Sequence, residues 1–330
     1  MRASGLLRAI APIPCALLLP PAAQAQEQQP QQARQAPGPA SAQLISPDDL
    51  VKMRSGTPDD DIVVTGRALP PPEEVKQQAK SITRMADFFS APLAQLQQKI
   101  CPGVMGLPAD IAGIIVDRIR WNAQRVGLDV AKEGKCQPNI LIAFVINGQS
   151  EIAALARTKG YVFRDVPDED VREMLADAGP VHAWSSTQTK TRDGMPVAKN
   201  ESLFDPPVVE VPISDSHIFF ATRLDIAQSV VVFDLKAIDG MSVVQLADYA
   251  TMRAFARTRP AKADAAASTI LSLFDKTAPA PRELTTFDMG YLTAIYKTQG
   301  NLPASAKIGA IPKEIRKQLA KASSEDMPTP

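Results

Sequence analysis

Residues Asn139 to Ile146 form an unbroken apolar run, Asn-Ile-Leu-Ile-Ala-Phe-Val-Ile, closed off by Pro138 on one side and by Asn147-Gly148 on the other. A strand written this way is apolar on both faces, so it needs cover above and below, which the interior of a layered sheet supplies. The chain must therefore build a buried central strand and find helices to sheathe it. Val75, Ala79, Ile82, Ala86 and Phe89 follow the three-four spacing of a helix that opens with Glu73 and Glu74, where negative charge suits the helix dipole. Ile111, Ile115 and Ile119 mark a second helix from Ala109 to Val126 behind Pro108, with Trp121 placed to stack on Arg125.

Beyond the central strand the pattern predicts helices at Ser150–Thr158 and Asp168–Ala178. Strands follow at Val181–Thr187, His217–Thr222 and Ser229–Leu235. The last third turns helical, with segments at Ser242–Arg257, Ala263–Phe274, Thr286–Thr298 and Lys313–Ala322 separated by prolines, and Thr285 with Asp288 at capping-box spacing. The expected fold is α+β: a single compact domain with a mixed sheet and a helical C-terminal third, preceded by a disordered N-terminal arm.

Proline marks where that domain begins, because 12 of the 29 prolines fall in residues 1–72. Residues 1–25 read as a signal peptide: Arg2 and Arg8 form a basic head, Ala9 to Leu19 an apolar middle, and Ala23-Gln24-Ala25 a small-x-small cleavage site after Ala25. The apolar stretch is too short and proline-rich to span a bilayer. Cys15 lies behind Pro12-Ile13-Pro14, which is a poor lipidation signal. Residues 26–72, rich in Gln, Pro and Ala, have too little apolar surface to offset their ordering entropy and are expected to be a disordered arm. The α+β domain is expected at 73–325, with a tail at 326–330.

Export to the periplasm sets the expected chemistry. Cys101 and Cys136 are the two cysteines left after cleavage, and an even pair in an oxidising compartment is expected to close as a disulfide. The 36 basic and 36 acidic residues balance, and clipping the leader removes only Arg2 and Arg8, so nucleic acid is an unsuitable partner. No integral membrane segment is expected after cleavage, and no cofactor.

Catalytic signatures are missing as well. The two histidines, His182 and His217, are not spaced as H-E-x-x-H, and G-x-S-x-G does not occur around Ser185 or Ser186. Asp165, Asp168, Glu169, Asp170 and Glu173 lack the alternation and central glycine of a calcium loop and read as helix N-terminal charges. Two residues remain as functional candidates. His182 stands at the start of a strand. Asp248 falls on the helix face of Val244, Thr251 and Phe255, where a carboxylate is costly unless Arg253 or a backbone donor pairs it.

Three stretches carry resemblances. Asp61-Ile62-Val63-Val64-Thr65-Gly66-Arg67 resembles the short segment that follows the leader in TonB-dependent outer-membrane receptors, though the rest of the chain is too short and too helical for their barrel and plug. It implies an envelope partner that pairs with an extended strand, the alternative being a β-prone stretch in a flexible arm. Ser229–Asp234, Gln245–Arg253, Ile270–Phe274 and Phe287–Tyr296, with Cys101–Val104 and Gly106–Pro108, resemble exported alphaproteobacterial proteins of unknown function. The order of strand, long helix and later helices is also similar to half of a zincin protease, with Gln245 to Tyr249 standing where such a helix carries its metal ligands. The resemblances supply no activity; export together with the missing catalytic signatures leads to the expectation of a non-catalytic exported protein that binds an envelope partner, with a hydrolase of unrecognised site or a degenerate zincin-like pseudoenzyme as alternatives.

Overall fold

The computed structural model describes residues 70–197 and 218–325. The leader, the arm up to residue 69, the Asp61–Arg67 segment, His217 and the tail at 326–330 lie outside the described residues.

Helix α1 (Pro72–Ile82) starts with proline in its first turn and buries Val75, Ala79 and Ile82. It stops well short of Phe89. The Thr83 hydroxyl donates back to the Ala79 carbonyl and meets the Tyr291 hydroxyl, while Arg84 N donates to Arg257 O and Arg259 N to Ile82 O. Backbone claimed by a distant segment cannot continue a helix, and Phe89 is left exposed.

Two short strands, β1 (Gln95–Leu96) and β2 (Pro102–Met105), precede helix α2 (Ala109–Arg125). The turn between β2 and α2 requires Gly106, whose φ of 86° is left-handed and whose missing Cβ would meet the Phe144 carbonyl. Strand β3 (Ile140–Val145) is the central apolar run. Cys101 and Cys136 are bonded, with Cα atoms 6.2 Å apart. The bridge therefore ties the start of β2 to the approach to β3, two neighbouring parallel strands.

Helices α3 (Gly148–Thr158) and α4 (Asp168–Ala176) come next, then strands β4 (Val181–Thr191) and β5 (Thr222–Asp234). The expected strands at 217–222 and 229–235 differ from this outcome: β5 is one long strand, and residues 218–221 are not part of it. Helices α5 (Val243–Phe255), α6 (Thr286–Tyr296) and α7 (Ala304–Glu325) complete the chain, and both α5 and α6 open with full capping boxes, Ser242 with Gln245 and Thr285 with Asp288.

The sheet runs β1-β5-β3-β2 in parallel, with β4 antiparallel along β5, so the α+β expectation with a mixed sheet holds. Alternation sorts the side chains. Val231 and Phe233 of β5 join Ile140, Ile142 and Phe144 of β3 in the main core with α2, α5 and α6, where Phe144 stacks on Phe233 at 5.0 Å. Val230 and Val232 face the other way, into a smaller cluster with Ile152 of α3, Met174 of α4 and Trp184 of β4.

Two expected helices change. Residues 263–269 are not helical despite their alanines, and only a 3-10 turn forms at Ile270–Ser272. The Gln78 side chain bonds both backbone groups of Ala267, and Asp288 takes the Ile270 N–H and the Thr269 hydroxyl, so tertiary partners outbid local propensity. The last helix starts at Ala304, not Lys313, and carries Pro312 inside it because Ile308, Ile311 and Ile315 lock both sides of the interruption into the core.

Candidate functional site

Asp248 and Arg253 lie five residues apart on α5, which turns them roughly 140° from one another around the helix. They consequently serve two separate polar centres. Asp248, 0% exposed, faces α2. Arg118 Nε donates to its Oδ1 at 2.8 Å and Arg118 Nη2 to its Oδ2 at 2.7 Å, a two-pronged clamp. Asn122 Nδ2 adds 2.7 Å to Oδ1, and the Leu284 N–H adds 2.8 Å to Oδ2. Four donors occupy both oxygens. The backbone donor foreseen from sequence is thus Leu284, whereas the arginine is Arg118 from another helix, and Arg253 plays no part.

Arg118 also reaches the Glu283 carboxylate at 2.9 Å. Burial disfavours its charge, but Asp248 and Glu283 more than offset that and hold its pKa above the ordinary arginine value. The guanidinium so fixed lies 4.4 Å from the Trp121 ring centroid, and Arg125 lies 4.3 Å from the same ring. One indole therefore contacts two guanidiniums. Trp121 is 45% exposed, and Ile114, on the same side of α2 by helical spacing, is exposed too. The Trp121–Arg125 stack was legible from their spacing; the contribution of Arg118 was not.

His182 sits elsewhere. Its partner across the sheet is Val232, so it points into the layer of α3 and α4, while α5 packs on the opposite face. The imidazole is 2% exposed, touches the backbone of Met174, and leaves Nδ1 without a partner among the described residues. Burial lowers its pKa below the ordinary imidazole value. The sheet thus separates His182 from Asp248. Ser185 offers no nucleophile to either, since its hydroxyl pairs with that of Ser229 at 2.9 Å, and Ser229 donates to the Ala254 carbonyl.

The second polar centre wraps the edge of β4, where α4 comes from one face and the end of α5 from the other. Asp170 receives Arg84 at 3.2 Å and Arg257 at 2.5 Å; Glu173 receives Arg84 at 2.7 Å and Arg259 at 2.8 Å. Asp170 and Glu173, read from sequence as helix N-terminal charges, are ion-pair partners as well. A hint lay in the sequence: three arginines crowd the end of α5, opposite an acidic α4.

Lys307 is a third buried ionic group that sequence reasoning passed over. It is 0% exposed, its Nζ lies 3.5 Å from the Ile295 carbonyl, and burial pushes its pKa down to about 7 from 10.5. Between those two values the unfolded chain holds the proton that the folded chain gives up. Stability should therefore rise as pH climbs from 7 to 10.5, with the penalty fully present below 7. Lys307→Met is expected to abolish that rise and to stabilise the protein at pH 6 by about 2 kcal/mol in urea titrations.

No family model, curated protein or solved structure matches this chain. At the positions that the zincin-like order would give to metal ligands, Gln245 closes the α5 capping box and donates to the Pro281 carbonyl, while Tyr249 packs against Phe233 and Phe274. Among the described residues, no three His, Cys, Asp or Glu side chains are grouped to hold a metal.

Proposed function

We propose that this chain is an exported, non-catalytic protein that acts by binding an envelope partner, and that Trp121 with its two flanking arginines is the contact point. The observation that carries this reading is an exposed aromatic gripped by two guanidiniums, one of them immobilised by a fully buried carboxylate. Trp and Arg dominate the energetics of protein interfaces, and a side chain held rigid before contact loses little entropy on binding. Burying Asp248 serves this surface: it fixes Arg118, which fixes Trp121. Arg118 and Arg125 face two carboxylates, Asp248 and Glu283, so the patch is balanced in charge, and a protein surface with a recess for the indole and acceptors for guanidinium N–H groups is the chemistry that fits.

The Cys101–Cys136 bond and the lack, among the described residues, of a helix long and apolar enough to cross a membrane are compatible with a protein released on the far side of a membrane. Trp121→Ala is expected to leave the circular dichroism spectrum unchanged while cutting retention of one envelope protein on the immobilised mature chain at least tenfold. Equal retention by both forms would remove the proposal.

A further inference from the structure

The arginine centre at the β4 edge holds more positive charge than its partners account for. Among the described residues, Arg84, Arg253, Arg257 and Arg259 have ion pairs only with Asp170 and Glu173, each already shared between two arginines, and Glu169 adds a weaker attraction on Arg259, so four cations stand against three carboxylates. Arg253 has no carboxylate partner among the described residues. It is 3% exposed, and its hydrogen-bond partner is neutral, the Tyr249 hydroxyl at 3.0 Å. Arg84, Arg253 and Arg257 each leave Nε without a partner as well. A desolvated guanidinium with no counter-charge is among the costliest things a protein interior can contain.

These three side chains line a single cavity of about 10 Å³, together with Asp170, Trp184 and Thr258. That is room for about one water-sized sphere. A water there would satisfy N–H groups but leave the charge uncompensated. We propose that the cavity is a binding site for one monoatomic anion of chloride size, held by the guanidiniums of Arg84, Arg253 and Arg257. The ion supplies the missing negative charge, joins α4 to the end of α5 around the β4 edge, and makes the stability of this corner depend on halide. Burial pulls the Arg84 pKa below its ordinary value and Arg253 adds to the lowering, as expected of cations crowded together.

The deciding experiment uses crystals of the mature protein grown in sodium bromide. An anomalous peak within hydrogen-bonding distance of the Arg253 guanidinium is the expected result. Water density without such a peak overturns the proposal. In solution, the melting temperature should rise by several degrees with sodium chloride, and level off, relative to sodium gluconate of equal ionic strength, because gluconate is too large to enter. Arg253→Met should erase the difference between the two salts, and Arg253→Gln serves the same purpose should the methionine variant fail to fold. Identical responses of the wild type to both salts would count against the site.

Discussion

Replacing Asp248 with alanine is expected to lower the free energy of unfolding by about 3 to 5 kcal/mol, the range seen when one member of a buried ion pair is removed. The magnitude follows from what is stranded. Arg118 loses both of its bonds to the carboxylate, Asn122 loses one of its two acceptors and keeps Thr251 Oγ1, and the Leu284 N–H is left unpaired in the core. Urea unfolding followed by tryptophan fluorescence checks this, with the Arg118→Met/Asp248→Ala pair expected to cost much less than the sum of the two single changes because no charge is then left alone. A carboxylate working as an acid or base would behave otherwise, since its loss would spare stability. Asp248→Asn separates shape from charge: the amide fills the same space, yet cannot accept from all four donors. It should also loosen Arg118 and weaken partner binding without altering Trp121 itself.

Loss of the disulfide is expected to cost about 4 kcal/mol by chain entropy for a sequence separation of 35. The Cys101→Ser/Cys136→Ser variant and the wild type in reductant should show the same reduced unfolding midpoint. The site explains why the loss should be near the full value. Cys101 N donates to Asn139 Oδ1 at 2.9 Å, and Asn139 N and Ile140 N both donate to the Cys101 carbonyl. The native corner is thus already shaped by its own hydrogen bonds, and the covalent link mainly restricts the unfolded chain. Protein recovered from cells with both thiols free, and indifferent to reductant, would contradict the export reading.

Much of this architecture was legible because it is written in local periodicity. The stripe of Ile111, Ile115 and Ile119, the two-faced run at Ile140–Val145 and the Thr285–Asp288 cap each report their structure within a few residues, and each is found where the spacing puts it. What the sequence concealed is set by partners far along the chain. Strand β2 is four residues with a proline and a glycine, and only its pairing with β3 makes it a strand. The alanines at 263–267 favour a helix that Gln78, 189 residues away, prevents. Arg118 and Asp248 are separated by 130 positions, so no spacing could announce them as a pair. The arginine centre draws on three separate segments, at 84, 170–173 and 253–259, and is visible only once β4 has an edge for them to cover.

The central claim is that the anchored indole on α2 is where this protein meets its partner. Incorporating a photo-crosslinking amino acid at position 121 in living cells, with Tyr161 as a more exposed control on a different element, tests it most directly. The account predicts one discrete protein adduct from position 121 that disappears when Arg125 is replaced by glutamate, and none from position 161. Adducts of equal yield at both positions, or none at 121, would contradict it.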